Sequence, residues 1–196
     1  PEFDLTVPGV TSISMDLHKY GFCPKGASVV LYRDRDLRRY QIFSCADWTG
    51  YTVVNTTIQS TKSGGPVAAA WAVMNFLGKD GYLKLAEGAL QGMRRIREGI
   101  EAIDDLQILG HPDSNLVALA SDTVSVFHVA DEMRQKGWFV QPQLGFNGSK
   151  PNIHLSINPA SLRWADDLVR DLDECAAKVK ADPPPGLDDG VKAFLQ

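Results

Sequence analysis

The sequence predicts an α/β chain built in two successive parts, and three features support this prediction. Residues 10–32 alternate an apolar run, a polar segment containing glycines and a second apolar run, which indicates strand, loop and strand. Apolar residues then recur at helical spacing over residues 66–103. Over residues 106–180 the hydrophobic period changes repeatedly, in the order β-β-α-β-β-α that is typical of a small α/β domain.

The first part is predicted to contain two strands and the start of a helical region. The strands cover residues 11–15 and 28–32, with the polar loop between them. Residues 44–65 are rich in Ser and Thr and end in Ser-Gly-Gly, which permits a loop, and the proline that follows suits a first helical position. Residues 66–77 are nearly all apolar, which predicts a buried helix, and Gly78 provides its end.

The second part begins with a longer helix that Asp80 can cap. One continuous apolar stripe along this helix comprises Leu83, Ala86, Leu90, Met93, Ile96, Ile100 and Ile103. The pattern beyond it predicts strands at 106–109, 116–120, 138–141 and 153–157, and helices at 123–136 and 161–180. We therefore expect a first domain over residues 1–85, a small α/β domain over 86–182 and a tail over 183–196.

Composition narrows the classes of function. The net charge is -4 with acids and bases mixed along the chain, so there is no basic stripe for nucleic acid. No apolar run approaches the roughly 20 residues of a membrane helix, and we expect a soluble, cytoplasmic protein. Three scattered cysteines and four scattered histidines predict reduced thiols and no metal site. The chain begins with Pro1 rather than Met, immediately before a segment that we interpret as the entry to a strand, which suggests a fragment.

The loop after the first strand concentrates the reactive side chains. Residues 14–26 place ionisable and aromatic side chains between two apolar strands, and such loops commonly hold functional sites. Lys19 stands at the end of a strand that we expect to be buried. Partial desolvation would lower the pKa of its amine and favour a Schiff base with an aldehyde, whereas the alternative is a surface lysine in a turn.

The amino-acid pattern of this segment resembles that of sphingosine-1-phosphate lyases, which belong to the pyridoxal-phosphate (PLP) group II decarboxylase family. The pattern Ser-x-Asp-x-His-Lys-Tyr-Gly-x-x-Pro-Lys-Gly before a Val-rich strand is similar to their cofactor-lysine segment. The resemblance extends through residues 47–50, 59–65 and 78–82 and covers roughly residues 9–160. It implies the C-terminal part of the PLP-binding large domain of a fold type I PLP-dependent transferase over 1–85, followed by its small C-terminal α/β domain.

The resemblance also implies roles for particular residues. Lys19 would carry PLP, and His18 would lie beside the cofactor phosphate. Ser63 and Gly64 would reach the phosphate of the neighbouring subunit, which implies a homodimer with an active site shared between subunits; an ordinary turn is the alternative. Lys25 would handle a phosphorylated substrate, or else it pairs with a surface acid.

Several nearby residues allow more than one interpretation. Phe22 and Cys23 stand where the lyases commonly have Tyr and Ala, and Lys62 replaces an arginine. We interpret Cys23 as a small buried hydrophobe rather than a catalytic thiol. Asp16 either orients His18 or Lys19 through a hydrogen bond or caps the loop. His154, on a predicted strand, is interpreted as structural.

Three functions follow as hypotheses. The first is a PLP-dependent carbon-carbon lyase that cleaves a phosphorylated amine, with Lys19 also serving as acid or base. The second is an amino-acid decarboxylase, which released CO₂ would distinguish. The third is a non-catalytic fragment or subunit. In the family, the acid that protonates the cofactor ring and the residue stacked on it lie upstream of the lysine, and only eighteen residues precede Lys19 here.

Overall fold

A computed structural model describes residues 2–59, 61–184 and 186. The chain divides into two compact units, Pro1–Lys79 and Asp80–Gln196. The assignment of residues 1–85 and 86–182 to a large and a small domain stays a prediction. Most of the predicted tail, residues 185 and 187–196, lies outside the described residues, as does Ser60 in the segment 59–65.

The first unit contains two small antiparallel sheets. Strand β1, Ser12–Asp16, pairs with β2, Ser28–Tyr32, as predicted. The second sheet pairs β3, Phe43–Cys45, with β4, Val53–Asn55. This sheet was not predicted, because three-residue strands among Ser and Thr give little periodicity. Between the sheets lie the short helix α1, Arg35–Arg38, and a 3-10 turn, Arg39–Gln41.

Helix α2 spans Gly64–Glu101 and contains one non-helical residue, Gly78, with φ 57° and ψ -174°. Glycine adopts this positive φ without the Cβ penalty of other residues. The predicted interruption at Gly78 is therefore confirmed. The helix begins two residues before Pro66, so that the Ser-Gly-Gly segment leads directly into its first turn.

The prediction that residues 66–77 form a buried helix is wrong as regards burial. Ala70 is 2% exposed, but Trp71 is 66% exposed and Phe76 89%. The physical reason is the size of the surrounding structure. A two-stranded sheet and its loop cover only one face of this helix, so several apolar side chains of the stretch, including Trp71 and Phe76, remain exposed.

The second unit has the predicted order β-β-α-β-β-α. Four antiparallel strands form one sheet in the order β5-β6-β8-β7. They are β5, Gln107–Ile108; β6, Leu116–Ala120; β7, Gln141–Gln143; and β8, Asn152–Ser156. Helix α3, Val126–Gln135, precedes β7, and a 3-10 turn, Pro159–Trp164, leads into helix α4, Ala165–Ala181. Strand β7 begins later than predicted and contains Pro142, which its position at the sheet edge permits.

The core of the second unit is formed by α2, both later helices and the sheet. Its fully buried side chains include Ile96, Ile100, Leu119, Met133, Ile153 and Leu172. The predicted stripe on α2 is therefore buried in its C-terminal half. Its N-terminal half differs, because Leu83 is 50% exposed. Each fully buried aliphatic side chain of this core contributes about 1.5–3 kcal/mol relative to exposure.

The three cysteines are free thiols, and Cys23 and Cys175 are buried. Burial raises the pKa of the Cys175 thiol above its usual value. Within the described part of the chain, no helix is both long and apolar enough to cross a membrane. The same residues contain no cluster of His, Cys, Asp or Glu that could hold a metal ion.

Candidate active site around Lys19

The loop that carries Lys19 is closed by backbone hydrogen bonds where β1 and β2 meet. The amide of Leu17 donates to the carbonyl of Ala27 at 3.1 Å, which joins the two ends of the loop. The amide of Lys19 donates to the carbonyl of Asp16 at 3.1 Å, and the amide of Cys23 donates to the carbonyl of Leu17 at 3.0 Å. The loop therefore folds back on itself and holds Lys19 close to the end of β1.

Two glycines are required by this loop. A Cβ on Gly21 would lie 2.4 Å from the carbonyl oxygen of Leu17, a distance that no side chain tolerates. Gly26 has a φ of 109°, and a Cβ there would lie 3.0 Å from Cγ of Pro66. Phe22 also has a positive φ, 55°, which is strained for a residue with a Cβ. The spacing of glycines after the lysine therefore follows from backbone geometry.

Asp16 is the centre of the polar contacts in the loop. Its Oδ2 atom lies 3.1 Å from Nζ of Lys19 and 3.9 Å from Nε2 of His18. Ser28 donates its hydroxyl proton to the other carboxylate oxygen at 2.5 Å. The hydrogen bond from Ser28, followed by that from Lys19, holds the pKa of the Asp16 carboxyl below its usual range. The structure thus supports an orienting role for Asp16, which the sequence left open.

The histidine before the lysine is held from its other ring nitrogen. Nδ1 of His18 lies 3.3 Å from the carbonyl oxygen of Ala27, so it donates a hydrogen bond when it carries the proton. The imidazole is thereby tied to the end of the loop that leads into β2. His18 and Lys19 are brought together on the same side of the loop, with Asp16 between them.

The expected desolvation of Lys19 is wrong for this chain. The lysine side chain is 68% exposed, and none of the residues of β1 is fully buried. The cause is that β1 and β2 form a two-stranded sheet, which is too small to exclude water from either face. Burial instead acts on the neighbouring Tyr20, whose phenol pKa it raises. The amine of Lys19 is therefore accessible in this chain and is paired with the Asp16 carboxylate.

The start of α2 packs against the lysine loop. Cys23 and Ala27 form a buried apolar cluster with Ala70 of the helix, and Leu17 and Val73 pack around it. Cys23 is 7% exposed, which confirms its interpretation as a small buried hydrophobe. This cluster holds the N-terminal part of α2 beside the loop, in agreement with the close approach of Gly26 to Pro66.

The other predicted site residues lie on exposed surface of the first unit. A Cβ on Gly64 would meet nothing within 4 Å, so the backbone of the first turn of α2 is accessible. The hydroxyl of Ser63 accepts a 3.4 Å hydrogen bond from the amide of Gly65. Lys25 is exposed and forms no ion pair among the described residues. The alternative interpretation, that Lys25 pairs with a surface acid, therefore finds no support in these residues. The structure does not test the roles of these residues.

Ser28 is the residue of this site that sequence reasoning missed. It stands directly opposite Asp16 in the antiparallel register of β1 and β2. The signal was present in the sequence as a hydroxyl residue at the start of an otherwise apolar strand. Recognising it required the register, which depends on how the loop folds between the strands.

Comparison with solved structures places the fold. The chain superposes on a Burkholderia pseudomallei sphingosine-1-phosphate lyase with a TM-score of 0.83 and 35% identity, covering 99% of this chain and 42% of that one. It also superposes on a Lactobacillus brevis glutamate decarboxylase with a TM-score of 0.73 and 20% identity, covering 93% of this chain and 43% of that one. The chain therefore has the fold of part of a fold type I PLP-dependent enzyme.

Sequence comparison identifies the relatives more closely, although no family model matches the chain. It is 41% identical to the sphingosine-1-phosphate lyase of Arabidopsis thaliana over 186 residues, 94% of this chain and 33% of that protein. It is 33% identical to sphingosine-1-phosphate lyase 1 of Rattus norvegicus over 183 residues, 92% of this chain and 32% of that protein. The chain is thus similar to sphingosine-1-phosphate lyases over more than nine tenths of its own length, and it spans about a third of theirs.

The residues of the site fit PLP, the cofactor expected for this fold. The aldehyde of PLP reacts with a primary amine, and the amine of Lys19 is accessible. The phosphate of PLP suits a helix N-terminus with accessible backbone, which the turn at Gly64 provides. His18 adds a second ring nitrogen, Nε2, near the same carboxylate oxygen as the lysine amine, and this nitrogen donates a hydrogen bond when both ring nitrogens carry a proton.

Proposed function

We propose that this chain is part of a PLP-dependent carbon-carbon lyase that acts on a phosphorylated amine, as a sphingosine-1-phosphate lyase does. The observation that carries the proposal is that the side chains of Lys19 and His18 meet at the Asp16 carboxylate within one loop. The backbone geometry of this loop requires glycine at two positions. The identity of 33–41% to several sphingosine-1-phosphate lyases over more than nine tenths of the chain supports the same substrate class.

Each residue of the site has a role in this proposal. Lys19 binds the cofactor and, when its amine is free, moves a proton at Nζ. His18 binds phosphate oxygens of the cofactor, and the backbone at Ser63 and Gly64 binds those of the cofactor held by the neighbouring subunit. Lys25 binds the substrate phosphate, since it is an exposed cation in the same loop. PLP, when bound, supplies the electron sink that accepts the electron pair of the broken bond.

The proposed parent enzyme is a cytoplasmic homodimer in which Ser63 and Gly64 serve the partner's site. The exposed apolar side chains of α2 support an assembled state, because Trp71 and Phe76 form surface that a soluble protein normally covers. The position of Gly64 on an open turn supports its use by a neighbouring molecule.

An amino-acid decarboxylase is the second candidate. Its support is the TM-score of 0.73 to a glutamate decarboxylase, a likeness of fold at 20% identity. A decarboxylase and a lyase need the same lysine and the same electron sink, and they differ in which bond to the α-carbon breaks. The third candidate, a subunit without chemistry of its own, has no observation in its favour beyond the share of its relatives that the chain spans.

The experiment that separates these candidates measures products. The reading frame that contains this chain is expressed with PLP and supplied with sphingosine 1-phosphate or dihydrosphingosine 1-phosphate. A fatty aldehyde and phosphoethanolamine in equal amounts, absent in a Lys19→Ala variant, support the lyase. Release of CO₂ from amino acids, without aldehyde from the phosphorylated amine, would instead identify a decarboxylase.

A further inference from the structure

The two oxygens of the Asp16 carboxylate have different partners. Oδ1 accepts the hydroxyl hydrogen of Ser28 at 2.5 Å. Oδ2 faces the loop, 3.1 Å from Nζ of Lys19 and 3.9 Å from Nε2 of His18. Because Ser28 is paired with Asp16 across β1 and β2, the serine fixes the rotation of the carboxylate. One oxygen is thereby turned toward the lysine.

The surroundings keep this carboxylate ionised. Within the described part of the chain, the charged or titratable groups that face it are Lys19 and His18 on the loop after β1, and Ser28 is the polar group that faces it from β2. The pKa of Asp16 is lowered most by the hydrogen bond from Ser28 and next by that from Lys19. An ionised, oriented carboxylate is a suitable partner for an ammonium group.

We propose that Asp16, oriented by Ser28, is a positioning residue that holds the amine of Lys19 beside His18 whenever Nζ carries no bond to the cofactor. The inference rests on the proposed function, since it concerns the same site. If the site holds PLP, Lys19 would hold the cofactor, and its amine, when free of the cofactor, would exchange protons with the substrate. A free lysine side chain samples many rotamers. The Asp16 carboxylate oxygen, 3.1 Å from Nζ, restricts this motion and keeps the amine that exchanges protons near the reacting atoms.

The first test measures how accessible the lysine amine is in the cofactor-free, 196-residue chain. Trace acetic anhydride acetylates amines, and mass spectrometry gives the ratio of labelling at Lys19 to that at Lys25, the reference in the same loop. Asp16→Asn should raise this ratio about two- to fivefold, as expected for loss of an exposed ion pair. Ser28→Ala should raise it less, and Ser28→Thr, which keeps the hydroxyl, should leave it at the wild-type value. A ratio unchanged by Asp16→Asn overturns the inference.

The second test follows the carboxyl group itself. A ¹³C NMR pH titration of Asp16 should give a midpoint below that of ordinary aspartates in the wild type. Removal of the hydrogen bond in Ser28→Ala should move this midpoint upward, and Ser28→Thr should restore it. If Ser28 had only a structural role, removal of its hydroxyl would not shift the titration midpoint of Asp16. A midpoint that Ser28→Ala leaves in place contradicts the orienting role.

Folding of the loop is checked in the same samples. Cys23 is 7% exposed, so slow reaction with a thiol reagent reports an intact loop. If Asp16→Asn exposes Cys23, the comparison of Ser28→Ala with Ser28→Thr, which differ in the hydroxyl, decides the outcome. Both tests are made without PLP. Their failure therefore contradicts this inference alone, whereas failure of PLP to attach to Lys19 contradicts the proposed function.

Discussion

Gly26, at the end of the lysine loop, faces the ring of Pro66 in the first turn of α2 so closely that a Cβ would lie 3.0 Å from its Cγ. Its φ of 109° is also outside the range that residues with a Cβ adopt easily. This contact joins the loop that carries Lys19 to the helix start that carries Gly64. The relative placement of the two predicted cofactor segments therefore depends on a residue without a side chain.

The first prediction concerns Gly26→Ala. We expect it to destabilise the first unit by about 1–3 kcal/mol, through backbone strain together with displacement of Pro66. Urea-dependent exposure of the Cys23 thiol measures this change. Gly9→Ala is the control, because Gly9 has a similar positive φ of 88° and a Cβ there would meet nothing within 4 Å. Equal destabilisation by both variants would show that the contact with Pro66 contributes nothing.

The second prediction concerns the attachment of PLP. In the complete enzyme, borohydride reduction should fix the cofactor to Lys19, because its amine is accessible and lies beside His18. Peptide mapping by mass spectrometry locates the label. Lys25→Ala is the control and should retain labelling at Lys19. Label at any other lysine would remove Lys19 from its assigned role.

The sequence predicted the fold best where hydrophobic periodicity was long. The helices over Gly64–Glu101 and Ala165–Ala181 and the order of elements in the second unit agree with the pattern. The strands β3 and β4 were missed because three residues carry no measurable period. Burial of residues 66–77 was wrongly predicted. An apolar sequence shows that a helix gains stability when other elements pack on it, but it does not show whether such elements are present.

The position of the candidate site could be predicted from the sequence, but its environment could not. Lys19 was proposed from the local sequence and His18 from the family resemblance. The structure brings both side chains near Asp16, and their roles stay predictions. The exposure of Lys19 could not be read from the apolar strand before it, because burial depends on neighbouring strands. The contribution of Ser28 depends on strand register, which a single strand pattern does not determine.

The third prediction tests whether sites are shared across a dimer. A Lys19→Ala subunit and a Gly64→Asp subunit should each be inactive, the second because a carboxylate at the helix start repels phosphate. If Ser63 and Gly64 serve the partner's site, random mixing should restore about a quarter of wild-type activity, since half the dimers have one intact site. Gly64→Ala is the steric control and should remain active. No restored activity after verified subunit exchange would contradict the shared site.

The fourth prediction concerns stability at acid pH. The indole N–H of Trp138 donates a hydrogen bond to the Asp171 carboxylate at 2.7 Å. This hydrogen bond and a weaker contribution from that of Lys136 lower the pKa of the Asp171 carboxyl from its ordinary 3.8. The folded state therefore binds fewer protons than the unfolded state, so this stabilisation is complete above the ordinary pKa and is lost as pH falls through the folded-state value. Asp171→Asn should weaken the acid dependence of the second unit's melting temperature. An unchanged dependence would show that the bond does not contribute.

The last prediction is that the 196-residue chain alone binds PLP weakly and turns over no substrate. Its lysine can react with the aldehyde, but the resemblance of the chain to sphingosine-1-phosphate lyases implies that the group stacked on the cofactor ring and the acid at the ring nitrogen lie before the segment that contains Lys19. Each such preorganised interaction typically lowers the barrier by about 2.7–4 kcal/mol, so the loss of two would slow the reaction by several orders of magnitude.

Exposed apolar surface should add to this loss by favouring self-association. Val30 is 48% exposed and Leu31 44%, so both faces of β2 are apolar and accessible, and Phe76 on α2 is 89% exposed. Titration of the chain with PLP, followed by absorbance and by aldehyde release, measures binding and turnover together, with Lys19→Ala as the control for specific attachment. Tight binding at one PLP per chain with turnover by this polypeptide alone would contradict the prediction, because it would show that residues 1–196 supply the stacking and ring-nitrogen groups themselves.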